Sequence, residues 1–184
     1  MMEKINTTIG GVPTPVFYPS VSSVSKNVWN VVDHIELLVA ANFPQFLVSC
    51  FDIYKDRNNS RINDALIKAD EQSQVVLYDS GIYEVVWSRS KRWNRKKYLR
   101  TLSENRVSHA FCLDEYAVFP SGHISAATLI NEINKTRSQL GKDVVSPIIH
   151  CRDINTYIDV CVETSKIIKP RLLAIPEREL GFGM

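Results

Sequence analysis

Two aspartates, Asp79 and Asp114, each close an apolar run, and a basic stretch lies between them. The first run reads Val75-Val76-Leu77-Tyr78-Asp79-Ser80-Gly81-Ile82-Tyr83-Glu84, and the second His109-Ala110-Phe111-Cys112-Leu113-Asp114-Glu115-Tyr116. Apolar runs of this length that end in acidic turn residues read as buried parallel strands. Both carboxylates then emerge at one edge of a sheet, the carboxyl edge, where α/β folds bind ligands and carry out chemistry. A carboxylate held there can accept two N–H groups side by side, or take up and release a proton.

The elements that must position them recur along the chain. Residues 14–23 read as a short strand punctuated by prolines, residues 28–41 as a helix, residues 45–54 as a strand ending near Asp52, and residues 62–71 as a helix. Strands at 75–79, 109–113, 144–150 and 172–176 follow, separated by helical spacing up to Glu104, over 124–140 and over 154–168. The strand-end markers Asp52, Asp79, Asp114, His150 and Glu177 are 27, 35, 36 and 27 residues apart. A repeat of about 30 residues of strand then helix is the βαβ unit. Six such strands fit an open sheet or most of an eight-stranded barrel. No glycine-rich phosphate loop follows any strand, which counts against a nucleotide-binding Rossmann sheet. The expected fold is therefore α/β, an incomplete (β/α) TIM-type barrel, with residues 1–184 as a single domain.

The composition, 45% hydrophobic and 23% charged, belongs to an ordinary globular chain rather than a disordered or fibrous one. Neither a leader-like amino terminus nor a run approaching a membrane span occurs, so a cytoplasmic protein with no membrane partner is expected. The four cysteines, Cys50, Cys112, Cys151 and Cys161, have no metal-ligand spacing and are expected to be reduced and mostly buried. No metal ligand is assigned.

Residues 89–100 contain Arg89, Lys91, Arg92, Arg95, Lys96, Lys97 and Arg100, seven of the 22 basic residues and none of the 20 acidic ones. The rest of the chain, 15 basic against 20 acidic, is net −5. A basic patch on an acidic body suits a polyanion, and Trp87, Trp93 and Tyr98 interleave with it as stacking partners for bases would. A solvated helix face whose aromatics point inward fits the same residues.

At Asp79-Ser80-Gly81-Ile82-Tyr83-Glu84 and Leu113-Asp114-Glu115 the chain resembles the queuine/archaeosine tRNA-guanine transglycosylase superfamily. Its members carry a D-S-G-G-[FY]-Q loop after one barrel strand and an L-D-E-C turn after the next. Thr14-Pro15-Val16-Phe17-Tyr18-Pro19 looks like the family's first strand, and Ile175-Pro176-Glu177 falls where a glycine-rich loop contacts the base. Ser20-Val21-Ser22-Ser23 and the run from Pro176 to Gly181 look closer to the divergent branch that inserts 7-deazaguanines into DNA. Ile82 stands in place of the second glycine, Glu84 of the glutamine and Tyr116 of the cysteine, while His150 falls about where a glutamine reads the base.

The resemblance implies exchange of guanine for a 7-deazaguanine in tRNA or DNA, a pentosyltransferase reaction. It makes Asp79 the acid/base and Asp114 the reader of the guanine N1–H and 2-amino group. Glu115, Ser80, Gly81, Tyr83, His150 and Glu177 complete the base site, with Tyr83 stacking on the base, and the seven basic residues hold the nucleic-acid backbone. The family's nucleophilic aspartate and its zinc site come after the sixth strand, beyond Met184. No cofactor is therefore expected in this chain, catalysis is expected to need a partner or the missing carboxyl-terminal part, and the unpaired edges of an incomplete barrel make a homo-oligomer or a complementing chain expected. Each residue also has a plainer role open to it. Asp-Ser-Gly is a common turn, Tyr83 can pack inward, His150 can be a satisfied rim residue, and Glu177 can pair with Arg178 at the surface. A non-catalytic nucleic-acid-binding subunit that keeps the base pocket, or an unrelated barrel enzyme using the acidic rim on a small substrate, fits the same strand ends.

Overall fold

The computed structural model describes residues 8–9, 12–13, 18–23, 30–58, 60–88, 93–114, 125–141, 143–151 and 153–174. Two short strands, β1 (Thr8–Ile9) and β2 (Val12–Pro13), pair antiparallel. The main sheet is parallel and five-stranded, made of β3 (Ser20–Val21), β4 (Gln45–Ser49), β5 (Val75–Asp79), β6 (His109–Phe111) and β7 (Val145–Ser146). A parallel bridge between Ile148 and Ala174 extends it by one position. The strands lie in the sheet in chain order, so each crossover steps the same way. Right-handed crossovers that never reverse direction put their helices on one face.

Those helices are α1 (Val31–Ala40), α2 (Cys50–Lys55), α3 (Ser60–Glu71), α4 (Ile82–Ser88), α5 (Arg95–Glu104), α6 (Ala126–Leu140) and α7 (Ile154–Ile168). Their ends follow ordinary capping chemistry. Asn30, Asn94, Ser125 and Asp153 each accept a first-turn amide through the side chain, and Gly141, with φ 63°, closes α6 in the left-handed region. Neighbouring helices pack as α1 on α3, α5 on α6 and α6 on α7. Within β5 the side chains alternate between two cores. Val76 and Tyr78 join Phe46, Val48, Ile35, Ile62 and Leu102, whereas Leu77 joins Phe111, Val145, Leu129 and Ile133.

The expected strand over 45–54 is half helix. The strand stops at Ser49, whose hydroxyl faces the amide of Asp52 at 3.5 Å, and Cys50–Lys55 turns into α2 with Cys50 and Ile53 facing inward. A capping serine three residues before an aspartate outweighs the β-like look of Cys-Phe-Asp-Ile-Tyr. The strand expected over 144–150 is shorter, Val145–Ser146 plus the single bridge at Ile148, because Pro147 interrupts the ladder. The α/β architecture stands as expected. None of the four cysteines is in a disulfide; Cys50, Cys112 and Cys151 are buried and Cys161 is half-buried. Among the described residues no helix is long and apolar enough to cross a membrane.

Candidate functional site

β5 and β6 are adjacent, with Leu77 opposite His109 and Tyr78 opposite Ala110. Asp79 and Asp114 therefore leave the sheet at the same edge, from neighbouring strands. Asp79 sits opposite Ser49, at the point where β4 becomes α2. The turn that holds Asp79 is tightly fixed. Its carboxylate accepts the amide of Gly81 at 3.2 Å, the buried Ser80 hydroxyl accepts the amide of Ile82 at 3.3 Å, and Trp93 Nε1 donates to the Ser80 carbonyl at 3.1 Å. Gly81 has φ 79°, and a Cβ there would meet Phe51 N at 2.5 Å and Phe51 Cβ at 2.6 Å, so only glycine fits between the turn and α2.

Asp114 is buried, and its Oδ2 lies 2.7 Å from Nε2 of the equally buried His150. His150 reaches it from the segment after β7, so three consecutive strands contribute to one small volume. Asp114 Oδ1 is buried with no hydrogen-bond partner among the described residues. An acceptor in that state is costly unless something else supplies the donor.

Two further carboxylates, not assigned from the sequence as site residues, join the cluster. Asp52, in the first turn of α2, accepts the Ser23 amide at 2.7 Å, and Glu84, in α4, accepts the Ser22 hydroxyl at 2.6 Å. Both are buried, and each keeps one oxygen, Asp52 Oδ1 and Glu84 Oε2, without a partner among the described residues. They clamp the end of β3 over the edge. Their proximity comes from contacts between residues 29 and 62 positions apart, which no local pattern encodes.

Crowding sets the electrostatics. Burial, then the charges of Asp114 and Glu84, push the Asp79 carboxyl up to about 7, against the opposing pull of the Gly81 and Ser80 amides. Burial also raises Asp52 and Glu84 above their ordinary values. Asp79 is the member that remains partly exposed. A carboxyl poised near neutrality can both give and take a proton at physiological pH, which is what acid/base work requires.

Of the other residues singled out from the sequence, Ser80 and Gly81 shape the Asp79 turn, and Tyr83 is 39% exposed on α4. Glu115, Glu177, Arg89, Lys91 and Arg92 lie outside the described residues. Arg95 is taken up structurally: it ion-pairs with Glu132 and donates to Thr136 Oγ1 at 2.8 Å, tying α5 to α6. Lys96 is exposed, Lys97 Nζ lies 5.3 Å from the Tyr54 ring centre, and Arg100 pairs with Glu104 at 2.7 Å. Trp93 and Tyr98 are buried, so these two aromatics of the basic stretch pack inward instead of offering faces to bases. Among the described residues no His/Cys/Asp/Glu group is arranged to hold a metal ion. No protein-family model matches the chain, and no curated protein matches it.

Proposed function

We propose that this chain is a transglycosylase-like (β/α) barrel domain that binds guanine or a 7-deazaguanine at the carboxyl edge of its sheet. The observation that carries this reading is the pairing of Asp79 and Asp114 on adjacent strand ends, with Asp114 oriented by His150 and left with an unpartnered oxygen among the described residues. Guanine presents N1–H and its 2-amino group side by side, and a carboxylate fixed at one oxygen is a matched acceptor for both. With its Nε2 carrying the proton, His150 donates to the carboxylate and holds it in plane. Asp79 then protonates the departing base and accepts a proton from the entering one, a task suited to a group titrating near neutrality. The strand order, sequential and without reversal, supports an arc of a barrel as the frame. Covalent exchange also needs a nucleophile at the ribose C1′. By resemblance that aspartate follows the sixth strand, so covalent exchange is proposed only for this base site combined with a polypeptide that carries it.

Calorimetric titration with guanine and 7-deazaguanine tests the base site directly. Saturable binding to both, with hypoxanthine weaker by about tenfold because it lacks the 2-amino donor, is the expected result. No binding to any of the three would remove the base-exchange reading. Exchange of labelled guanine into tRNA or DNA by the chain together with its complement, but not alone, would establish the divided enzyme. A non-catalytic subunit would bind base and show no exchange under either condition.

The backbone-holding role falls to exposed Lys96 and the basic residues that precede α5 in the sequence. α5 begins near the carboxyl edge, since a crossover helix runs back along the sheet. Reversing Lys91, Arg92 and Lys96 to glutamate should weaken polynucleotide binding uniformly across sequences and lower the salt-dependence slope by about one for each phosphate no longer neutralised. An unchanged slope in filter-binding titrations would put the polynucleotide elsewhere.

A further inference from the structure

The ring of outer helices has a gap. α1 packs on α3 and α5 packs on α6, but α3 and α5 do not close on each other, and a cleft of about 440 Å³ opens between them over the outer face of β5. Its floor is Val76 and Tyr78, its apolar walls are Ile53, Leu66 and Ile67, and α2 covers the end toward the carboxyl edge. The volume is in the range of small-molecule sites. Ile67, on the wall, is 47% exposed.

Charge is distributed unevenly around this cleft. Arg106 and Asp70 form a 2.8 Å ion pair between its two walls, and Arg100 is paired with Glu104. Arg57 has no carboxylate partner among the described residues. Its guanidinium stacks 4.3 Å from the centre of the Tyr54 ring and donates to the Tyr54 carbonyl at 2.9 Å, and Lys97 Nζ approaches the same ring. The lining thus contains three arginines against two carboxylates, with the excess cation at one end of a largely polar trough that also carries Asn58, Asn63 and Asn105. Stacked guanidinium groups are pre-organised for a phosphate, and the trough beside it, polar around an apolar floor, suits a heterocycle that both stacks and hydrogen-bonds.

We infer that the α2–α3–α5 cleft is a second binding site, separate from the carboxylate edge, for a phosphorylated organic molecule of nucleoside monophosphate size. Its phosphate lies against Arg57 and its ring system against Ile67, Leu66 and Val76. This inference does not depend on the base-exchange reading. The structure also supplies a reporter, because the Tyr54 ring that lines the cleft packs edge-on against buried Trp93 at 5.6 Å.

The test is a tryptophan-fluorescence titration of the full chain with AMP and inorganic phosphate, repeated on Arg57→Glu, Ile67→Trp and Asp114→Asn, with circular dichroism melts to confirm folding. Ile67→Trp fills a cleft from an exposed position, so it should fold. A parallel calorimetric titration reads that variant without optical interference from the added indole. Saturable nucleotide binding that weakens by about tenfold or more in Arg57→Glu and Ile67→Trp, and stays unchanged in Asp114→Asn, is the expected outcome. No saturable binding, or affinity retained within about twofold in both cleft variants, overturns the site. Inorganic phosphate binding as tightly as AMP overturns the organic ligand. Loss in Asp114→Asn alone would place the nucleotide at the carboxylate edge and end this proposal while leaving the other intact.

Discussion

Asp114→Asn should abolish measurable guanine binding while leaving the fold in place. The substitution keeps the shape of the side chain and lets His150 Nε2 donate to the amide oxygen, so the 2.7 Å tie between the segments after β6 and β7 survives. What changes is the second position. Oδ1, buried and without a partner among the described residues, becomes an NH2 group facing the N–H donors of the base. Donor against donor in a buried pocket costs the charged hydrogen bond and a desolvated mismatch together, about 2–4 kcal/mol, or roughly 30- to 1,000-fold in Kd. Calorimetry with guanine and a thermal melt of the same sample separate the two effects. Binding unchanged in a folded variant removes Asp114 from the site. His150→Ala should act in the same direction more weakly, because it frees the carboxylate to rotate without altering its acceptors.

The sheet was legible in the sequence because strand and helix signals there agree with one another. Val75–Asp79 and Ile154–Ile168 have the bounds their apolar spacing predicts, since each is flanked by unambiguous stops: the Ser80-Gly81 turn after the first, and Asp153 and Pro170 around the second. Asp79 and Asp114 were legible as a pair through βαβ spacing alone. The rest of the site was not. Asp52 looked like the end of a strand because the Ser49 cap is one hydroxyl in a run that otherwise favours β structure, and a single cap can redirect such a run. In the sequence Glu84 is only the residue in place of the family's glutamine. It is buried because α4 starts immediately after Gly81 and rotates position 84 inward to Ser22. Arg95 illustrates the opposite error: a member of a basic run, it is fastened to Glu132 and Thr136 on α6, and charge patterning along one helix contains no information about the neighbour that neutralises it.

Asp79→Asn is expected to produce the other large effect, and in a different quantity. The substituted amide would still accept the Gly81 N–H through its oxygen, so the turn persists, and base binding should change by no more than about threefold, since Asp114 reads the Watson–Crick edge. Removing the proton donor and acceptor should lower exchange by the complemented protein about 10²- to 10⁴-fold, the usual contribution of a general acid/base. Stability should move the other way. A carboxyl whose folded-state value is pushed up to about 7 holds its proton more tightly folded than unfolded. Its contribution is therefore fully present below about pH 4 and is lost as pH rises through 7, where the ionised group sits against Asp114 and Glu84. Asp52 and Glu84, raised by burial, add the same sign over the lower part of that window. Asparagine has no proton to lose. The variant should match the parent near pH 4 and exceed it by about 1–2 kcal/mol at pH 8, the full linkage value being reduced because Asp79 retains contact with solvent. For a chain of this size that is a rise in Tm of about 3–6 °C at pH 8. Melts at both values, read beside the exchange rate, bring the two halves together. A variant that loses exchange and gains stability only at high pH identifies a proton-carrying carboxyl held under charge repulsion. A variant equally stable at both values would show that Asp79 ionises in the ordinary carboxylate range and carries no such proton at neutrality.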